Sequence, residues 1–206
     1  MTGTSWTHRV ARLVVRPLVG RGVTPNHLTT LRLMTGVASC AALAQGDPFW
    51  LGCSGWLWLV SAFLDRADGE LARIGGMSTP AGHQYDYVVD TSVNAGFFVA
   101  AGIGLRHSTL GGDAVWLGLW TGLALFLCSL WSEQLECLAH PGTKAYAGAF
   151  GFDFDDFLYL LAPILWLGWL LPLLVGGGIG ATCMMLLTGW RLWRLTLRQD
   201  SPGEAA

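Results

Sequence analysis

Apolar residues along this chain fall into six long runs, separated by short polar or glycine-rich breaks. Each run holds about 17–25 residues, the length an α-helix needs to cross a hydrocarbon core of about 30 Å. Backbone polar groups inside lipid must be satisfied within their own segment, so we expect a helix in every run. The expected spans are 24–43, 49–73, 82–105, 114–130 (with a helical continuation through Glu136 compatible with the pattern), 154–171 and a sixth run that ends near Trp193.

Two of the breaks carry distinct turn signals. Residues 74–81 are rich in glycine and proline and predict a short loop between the second and third spans. Residues 172–180 are apolar but glycine-rich, and we interpret them as a tight hairpin at the far membrane surface. Thr24 and Pro25 provide an N-cap and a first helical position for the first span. The pattern therefore predicts an all-α integral membrane protein with six transmembrane helices.

Residues 1–23 alternate apolar side chains with arginine before the first span begins. The apolar members are Trp6, Val10, Leu13, Val14, Pro17 and Leu18, and the basic members are Arg9, Arg12, Arg16 and Arg21. This pattern is typical of an amphipathic juxtamembrane helix on an anionic leaflet, with a solvated basic tail as the alternative. We expect no cleavable signal peptide, because no apolar core follows the first charges. The predicted division is a juxtamembrane segment at 1–23, a six-helix domain at 24–198 and a disordered tail at 199–206.

Composition and charge agree with this membrane assignment. Hydrophobic residues make up 52% of the chain and charged residues 13%, about half the share usual in soluble proteins. The formal net charge is -2, so we expect no nucleic-acid partner. In the six-span topology, eleven of the 12 Lys and Arg residues fall on one side and Arg106 on the other. The positive-inside rule then places both termini in the cytoplasm and the protein in the inner, or cytoplasmic, membrane.

Four aspartates in two pairs border the second and third spans. Asp65 and Asp68 are three residues apart, and Asp86 and Asp90 are four apart. Either spacing places both side chains of a pair on one helix face, so two facing helices would bring four carboxylates together. An unpaired carboxylate in a membrane span is energetically unfavourable, so carboxylates found there usually have a function. A divalent metal between them would allow all four to stay ionised. The simpler alternative is a set of salt-bridged helix ends, with Arg66 and Arg73 as counter-ions.

The residues from Asp65 to Asp90 read D-x2-D-G-x2-A-R-x8-G-x3-D-x3-D. This pattern resembles the signature of the CDP-alcohol phosphotransferases, integral membrane enzymes of phospholipid synthesis. The stretch from Thr24 to Arg32 also resembles the start of the first helix in that family. The resemblance implies transfer of a phosphoalcohol group, phosphatidyl when the donor is CDP-diacylglycerol, to an acceptor alcohol with release of CMP. It also implies two divalent cations, Mg²⁺ or Mn²⁺, and an active site on the cytoplasmic side.

The resemblance carries roles to matching positions. Asp65, Asp68 and Asp86 correspond to metal ligands, and Asp90 to a general base that also contacts one metal. The residues expected to bind the CDP group are Asp65, Asp68, Gly69, Ala72, Arg73, Gly82, Pro25, Asn26 and Thr29. Candidates for phosphate or acceptor contacts are Arg32, Lys144 and Arg191. Arg32 is a charge inside an apolar run, so we expect its side chain to point into the protein and meet phosphate or carboxylate.

Several alternatives stay open. A transporter or ion channel, or a divalent-cation-binding membrane protein without transferase activity, would also place carboxylates in spans. The sequence leaves open the donor, CDP-diacylglycerol or a soluble CDP-alcohol, and whether the chain is a homodimer. The approach to the site carries Asp153, Asp155 and Asp156, which we interpret as helix-capping residues. Because this approach is acidic, we expect an acceptor without a phosphate group. Membrane lipid is the remaining expected partner.

Overall fold

The structure, a computed structural model, describes residues 6–138 and 154–199. Within these ranges the chain is all-helical and contains no strand. The described α-helices are α1 (Trp6–Val15), α2 (Pro25–Leu43), α3 (Pro48–Gly75), α4 (Pro80–Gly104), α5 (Asp113–Leu138), α6 (Leu161–Trp166) and α7 (Leu170–Gln199). Two 3-10 segments, Arg16–Leu18 and Phe154–Leu160, follow α1 and precede α6.

The three helices that surround the aspartates share one kind of start. A proline occupies the first turn of α2, α3 and α4, where its missing N–H costs no helical hydrogen bond. The residue before each proline lies in extended backbone, and Thr24 caps α2 as predicted. Thr79 accepts a hydrogen bond from the Gly82 N–H at 3.0 Å, which fixes where α4 begins. The local sequence therefore fixes where each of these helices begins, and with it the helix face on which each aspartate lies.

Helices α2, α3 and α4 pack against one another and form the centre of the bundle. Helix α5 packs on α4, α7 on α5, and α6 on α3. The core contains Trp58 and Phe97, whose ring centroids lie 4.3 Å apart. Helices α4 and α5 approach closely at Gly118, where a Cβ would lie 2.6 Å from the Phe98 carbonyl oxygen. Such contacts between small residues are how helices associate without a hydrophobic driving force.

The hairpin predicted at 172–180 is wrong. These residues lie inside α7, and the chain turns instead at 167–169, where Gly168 has a φ of +71°. The glycines of this stretch serve helix packing. A Cβ at Gly177 would lie 2.4 Å from a ring carbon of Phe98. Glycine was therefore needed for a close interhelical approach, and the sequence pattern alone did not distinguish that from a turn.

The fifth apolar run is not one continuous α-helix. It begins as the 3-10 segment Phe154–Leu160 and continues as the six-residue α6. Pro163 lies in the first turn of α6. A proline cannot donate the hydrogen bond that an α-helix continuing from the preceding turn would require, so the α-helix begins only two residues before it.

Two described helices are long and apolar enough to cross a membrane, at Asp113–Leu138 and Leu170–Leu197. Only 28% of the most apolar window of each is buried inside the protein. Their apolar surface therefore faces outward, which suits a lipid environment rather than the core of a soluble protein. The other described helices do not meet this criterion, and the six-span arrangement stays a proposal.

Candidate active site at the aspartate cluster

The facing surfaces of α3 and α4 bring the carboxylates together. One side-chain oxygen each from Asp65, Asp68 and Asp86 lies within 4.8 Å of the other two. Asp68 is almost fully buried, whereas Asp65 and Asp86 are partly exposed. The spacing predicted from the sequence is sufficient to produce this convergence, because each pair occupies one face of its helix.

Arg32 of α2 lies among these carboxylates and is only 2% exposed. Its Nη1 is 2.5 Å from Asp65 Oδ1 and 3.4 Å from Asp86 Oδ1. Its Nη2 donates to Asp90 Oδ1. The Arg32 side chain points into the protein, as predicted, and its partners there are carboxylates. Arg66 and Arg73, the counter-ions of the simpler salt-bridge alternative, have other contacts: Arg73 pairs with Glu70, and Arg66 contacts His8.

Two uncharged side chains orient individual aspartates. Thr29 Oγ1 donates to Asp68 Oδ2 at 2.7 Å. Asn94 Nδ2 donates to Asp90 Oδ1 at 2.6 Å. Asn94 was not among the predicted site residues. Its position four residues after Asp90 indicates this contact, because i,i+4 side chains are neighbours on a helix.

A cavity of about 280 Å³ opens beside the cluster and shares Asp68 and Asp86 with it. All the residues expected to bind CDP, except Asp65 and Arg73, line this cavity. The loop between α3 and α4 and the start of α4 add four side chains that the sequence reading did not assign to nucleotide binding. The complete lining is Pro25, Asn26, Thr29, Asp68, Gly69, Ala72, Met77, Ser78, Thr79, Gly82, His83 and Asp86.

The two motif glycines have different surroundings. A Cβ at Gly69 would meet no atom within 4 Å, so Gly69 leaves the cavity open without being required by packing. A Cβ at Gly82 would lie 2.9 Å from Thr79 Oγ1 and 3.3 Å from Asn26 Oδ1. Gly82 is therefore small partly because the cap of α4 occupies the adjacent space.

Glu70 is a buried carboxylate for which the sequence predicts no role. It is 0% exposed, and its oxygens lie 2.9 Å from His8 Nδ1, 2.9 Å from Arg12 Nε and 3.0 Å from Arg73 Nη1. Arg73, expected to donate to the nucleotide, is paired with Glu70 in this arrangement. Glu70 thus joins α1 to the motif-bearing end of α3.

Of the remaining expected contacts, the structure describes Arg191 and does not bring it to the cluster. Arg191 lies on α7, is exposed, and is absent from the cavity lining. Lys144 and Asp153, and the side chains of Asp155 and Asp156, fall outside the described residues.

The donor set fits a divalent cation. The cluster offers carboxylate oxygens, which Mg²⁺ and Mn²⁺ prefer, whereas zinc favours Cys and His. The guanidinium of Arg32 within reach of three of the carboxylates also shows that this space is stabilised by positive charge.

Comparison with known proteins agrees with the family that the aspartate motif resembles. A bifunctional IPC transferase and DIPP synthase from Aquifex aeolicus (strain VF5) is 25% identical over 194 residues. The alignment covers 87% of this chain and 41% of that protein, so the chain corresponds to less than half of its relative's length. Residues 22–193 match the family described as CDP-alcohol phosphatidyltransferase. This range includes both halves of the motif and the whole described cavity, and the chain belongs to the CDP-alcohol phosphatidyltransferase family.

Proposed function

We propose that this protein transfers a phosphoalcohol group from a CDP-alcohol to the hydroxyl of an acceptor alcohol and releases CMP. The new bond joins the acceptor oxygen to the β-phosphorus of the donor, and the bond from that phosphorus to the oxygen leaving with CMP breaks. The observation that carries this proposal is the shared wall between the carboxylate cluster and the cavity, at Asp68 and Asp86. A diphosphate bound there would lie against the carboxylates, with its nucleoside in the cavity.

Asp65, Asp68 and Asp86 would hold two divalent cations, Mg²⁺ or Mn²⁺, with Asp90 contributing to one of them. When bound, such ions neutralise the diphosphate charge and align the attacking and leaving oxygens. Thr29 fixes the Asp68 carboxylate through its hydroxyl, so this ligand is oriented before any cation arrives.

Asp90 is proposed as the general base. Arg32 and Asn94 both donate to its Oδ1. Its Oδ2 takes no hydrogen bond within the part of the chain that the structure describes. That oxygen is available to accept the proton of the acceptor hydroxyl as its oxygen attacks phosphorus. Arg32 and Asn94 act as positioning residues, since they determine which oxygen remains.

The cavity is proposed to hold the cytidine end of the donor. Pro25, Asn26 and Thr29 supply one wall from α2, and Gly69 and Ala72 supply another from α3. The absence of a Cβ at Gly69 keeps the space open where the nucleotide would approach helix backbone. Ser78 and His83 add polar groups that could fix its orientation, as expected for a site of this kind.

We further propose six membrane spans, with both termini and the site on the cytoplasmic side of the inner membrane. CDP-diacylglycerol is the donor that this placement favours, because a lipid donor reaches the site from the same leaflet. For the acceptor we keep the prediction of a hydroxyl compound without phosphate. It is supported by Arg32 and Arg73, whose charges are already matched by carboxylates. A homodimer is compatible with these features.

The test is product identification. Purified protein in detergent would be incubated with CDP-diacylglycerol, Mn²⁺ and separate acceptors: a polyol, an amino alcohol, glycerol phosphate and inositol phosphate. We expect CMP and a new phospholipid in equal amounts with one of the first two. Turnover with a phosphorylated acceptor, lost on Arg191→Ala, would overturn the acceptor proposal. No CMP with any acceptor or with CDP-alcohols of either class would overturn the transferase proposal.

A further inference from the structure

One side of α1 forms a basic surface next to α3 that the proposed chemistry does not use. The inner face of this helix, with Ala11 and Val15, is buried in its contact with α3. Arg9, Arg12 and Arg16 recur at spacings of three and four residues and therefore share one side of the helix, beside its buried face. Three guanidinium groups on about two helical turns repel one another unless an anion lies between them.

These arginines border a second cavity. It has a volume of about 340 Å³ and lies between α1 and the end of α3, lined by Arg9, Arg12, Leu13, Arg16 and Ile74. Arg12 already donates its Nε to the buried Glu70, which fixes this side chain at the cavity wall. Arg9 and Arg16 have no side-chain hydrogen bond or ion pair within the described ranges. The cavity is thus built on one anchored arginine and two arginines with unused donors.

Apolar side chains continue the same surface. Leu13 is 74% exposed and lines the cavity, and Val10 and Val14 are exposed beside it. An exposed leucine among arginines is unfavourable in water but suits the boundary between lipid head groups and acyl chains. The partner must therefore combine negative charge with apolar surface.

We propose that this cleft between α1 and α3 binds the phosphate group of an anionic phospholipid in the leaflet on which α1 lies. The planar guanidinium groups of Arg9 and Arg16 can each donate two parallel hydrogen bonds to phosphate oxygens. Leu13 and Ile74 contact the glycerol and upper acyl carbons of the same lipid. The site is separate from the aspartate cluster, and its occupancy does not depend on the proposed transferase activity.

The experiment measures lipid retention by the full chain. Protein purified in a mild detergent is mixed with equal amounts of phosphatidylglycerol and phosphatidylcholine, and bound lipid is counted by native mass spectrometry. The test variant is Arg9→Gln/Arg16→Gln, which leaves Arg12 and its bond to Glu70 intact. The matched control is Arg21→Gln, an exposed arginine that follows α1 and does not line the cavity.

We expect the parent chain to retain phosphatidylglycerol in preference to phosphatidylcholine. The test variant should lose about thirtyfold of this preference, since each of the two arginines near a lipid surface contributes about fivefold. Arg21→Gln should retain it. Equal losses in the control would overturn the proposal, because a diffuse positive charge would then suffice. Complete displacement of the lipid by about 10 mM inorganic phosphate would also overturn it, because apolar contacts give the lipid an advantage over the free ion. The variant Arg9→Lys/Arg16→Lys keeps both charges and should retain part of the preference; a loss as large as that of Arg9→Gln/Arg16→Gln would overturn the proposal.

Discussion

At the scale of single residues, the site is a balance between four carboxylates and one buried arginine. Arg32 satisfies parts of Asp65, Asp86 and Asp90, while Thr29 satisfies part of Asp68. A buried charge without partners is strongly unfavourable, so each member of this network depends on the others. The aspartates have different hydrogen-bond partners, and this difference supports different proposed roles. Only Asp90 accepts hydrogen bonds from both a guanidinium group, that of Arg32, and a side-chain amide, that of Asn94.

Asp90→Asn should separate binding from transfer. The variant keeps the shape of the side chain but cannot accept the acceptor proton. We expect the turnover number to fall by about 10²–10⁴-fold, the usual contribution of a general base, with little change in the dissociation constant for the CDP-alcohol. Binding by equilibrium dialysis and turnover by CMP release would be compared with Asp65→Asn. A loss of donor binding as large as that of Asp65→Asn would contradict the general-base role and leave Asp90 as a metal ligand alone.

Gly69→Ala should weaken nucleotide binding while stabilising the protein. The new methyl group meets no protein atom and extends into the cavity. Alanine is favoured over glycine inside a helix by roughly 0.5–1 kcal/mol, so the melting temperature should rise slightly. We expect KM for the donor to increase about tenfold, as for other overfilled sites. Gly176→Ala in α7, also with open space around it, is the control that should gain stability without a change in KM. An unchanged KM for Gly69→Ala would remove the cavity from the donor site.

At the scale of elements, Glu70 connects α1 to α3, the helix that carries Asp65 and Asp68. It lies two residues from Asp68, and its carboxylate oxygens contact the side chains of His8 and Arg12 of α1. The arginine partners are partly exposed, and solvent reduces the strength of their pairs. The burial of Glu70 itself still makes these contacts necessary, because an unpaired buried carboxylate is costly.

Glu70→Gln should loosen α1 without unfolding the bundle. Removing the charge weakens hydrogen bonds to charged groups, which contribute about 1.5–3 kcal/mol each when buried and less at this partly exposed position. We expect amide hydrogen exchange in Trp6–Val15 to accelerate by about tenfold. Glu133→Gln on α5, outside the cluster, is the matched control. Unchanged exchange in α1 would show that its apolar face alone holds it.

The sequence predicted the start of α2 from Thr24 and Pro25, and that of α3 within one residue, because each depends on a local cap and a proline. It placed the start of α4 at 82 instead of Pro80, because Thr79 and Pro80 were assigned to the loop, whereas they are the cap and the first residue of the helix. The aspartate cluster was also predictable, since helical spacing decides which side chains share a face. Glu70 and Asn94 were missed because their roles come from partners on other elements or from the orientation of one carboxylate oxygen. The course of the last third was misread for a similar reason: Gly177 packs against Phe98, a contact that exists only in the folded bundle.

At the scale of the whole molecule, the outward apolar faces of α5 and α7 are consistent with a membrane environment, while the polar cluster lies between α2, α3 and α4. The arginine distribution favours placing the two termini on one side, and Asp113, at the start of α5, on the other. This arrangement would keep the site on the side that supplies cytidine nucleotides and soluble alcohols.

Topology can be tested with single cysteines in a background without the native ones. A cysteine at Ser5 or Gly203 should react with an impermeant reagent only from the cytoplasmic side, and one at Asp113 only from outside. Reaction of the two termini from opposite faces would rule out six spans.

The central claim is that the aspartate cluster holds the divalent ions used in transfer. The most direct measurement is Mn²⁺ binding to purified protein by electron paramagnetic resonance, with CDP-diacylglycerol present and CMP release followed in parallel. The account predicts two bound ions for the parent chain, loss of at least one in each of Asp65→Asn, Asp68→Asn and Asp86→Asn, and loss of turnover in all three. Unchanged Mn²⁺ binding, or near-normal CMP release, in any of these variants would contradict it.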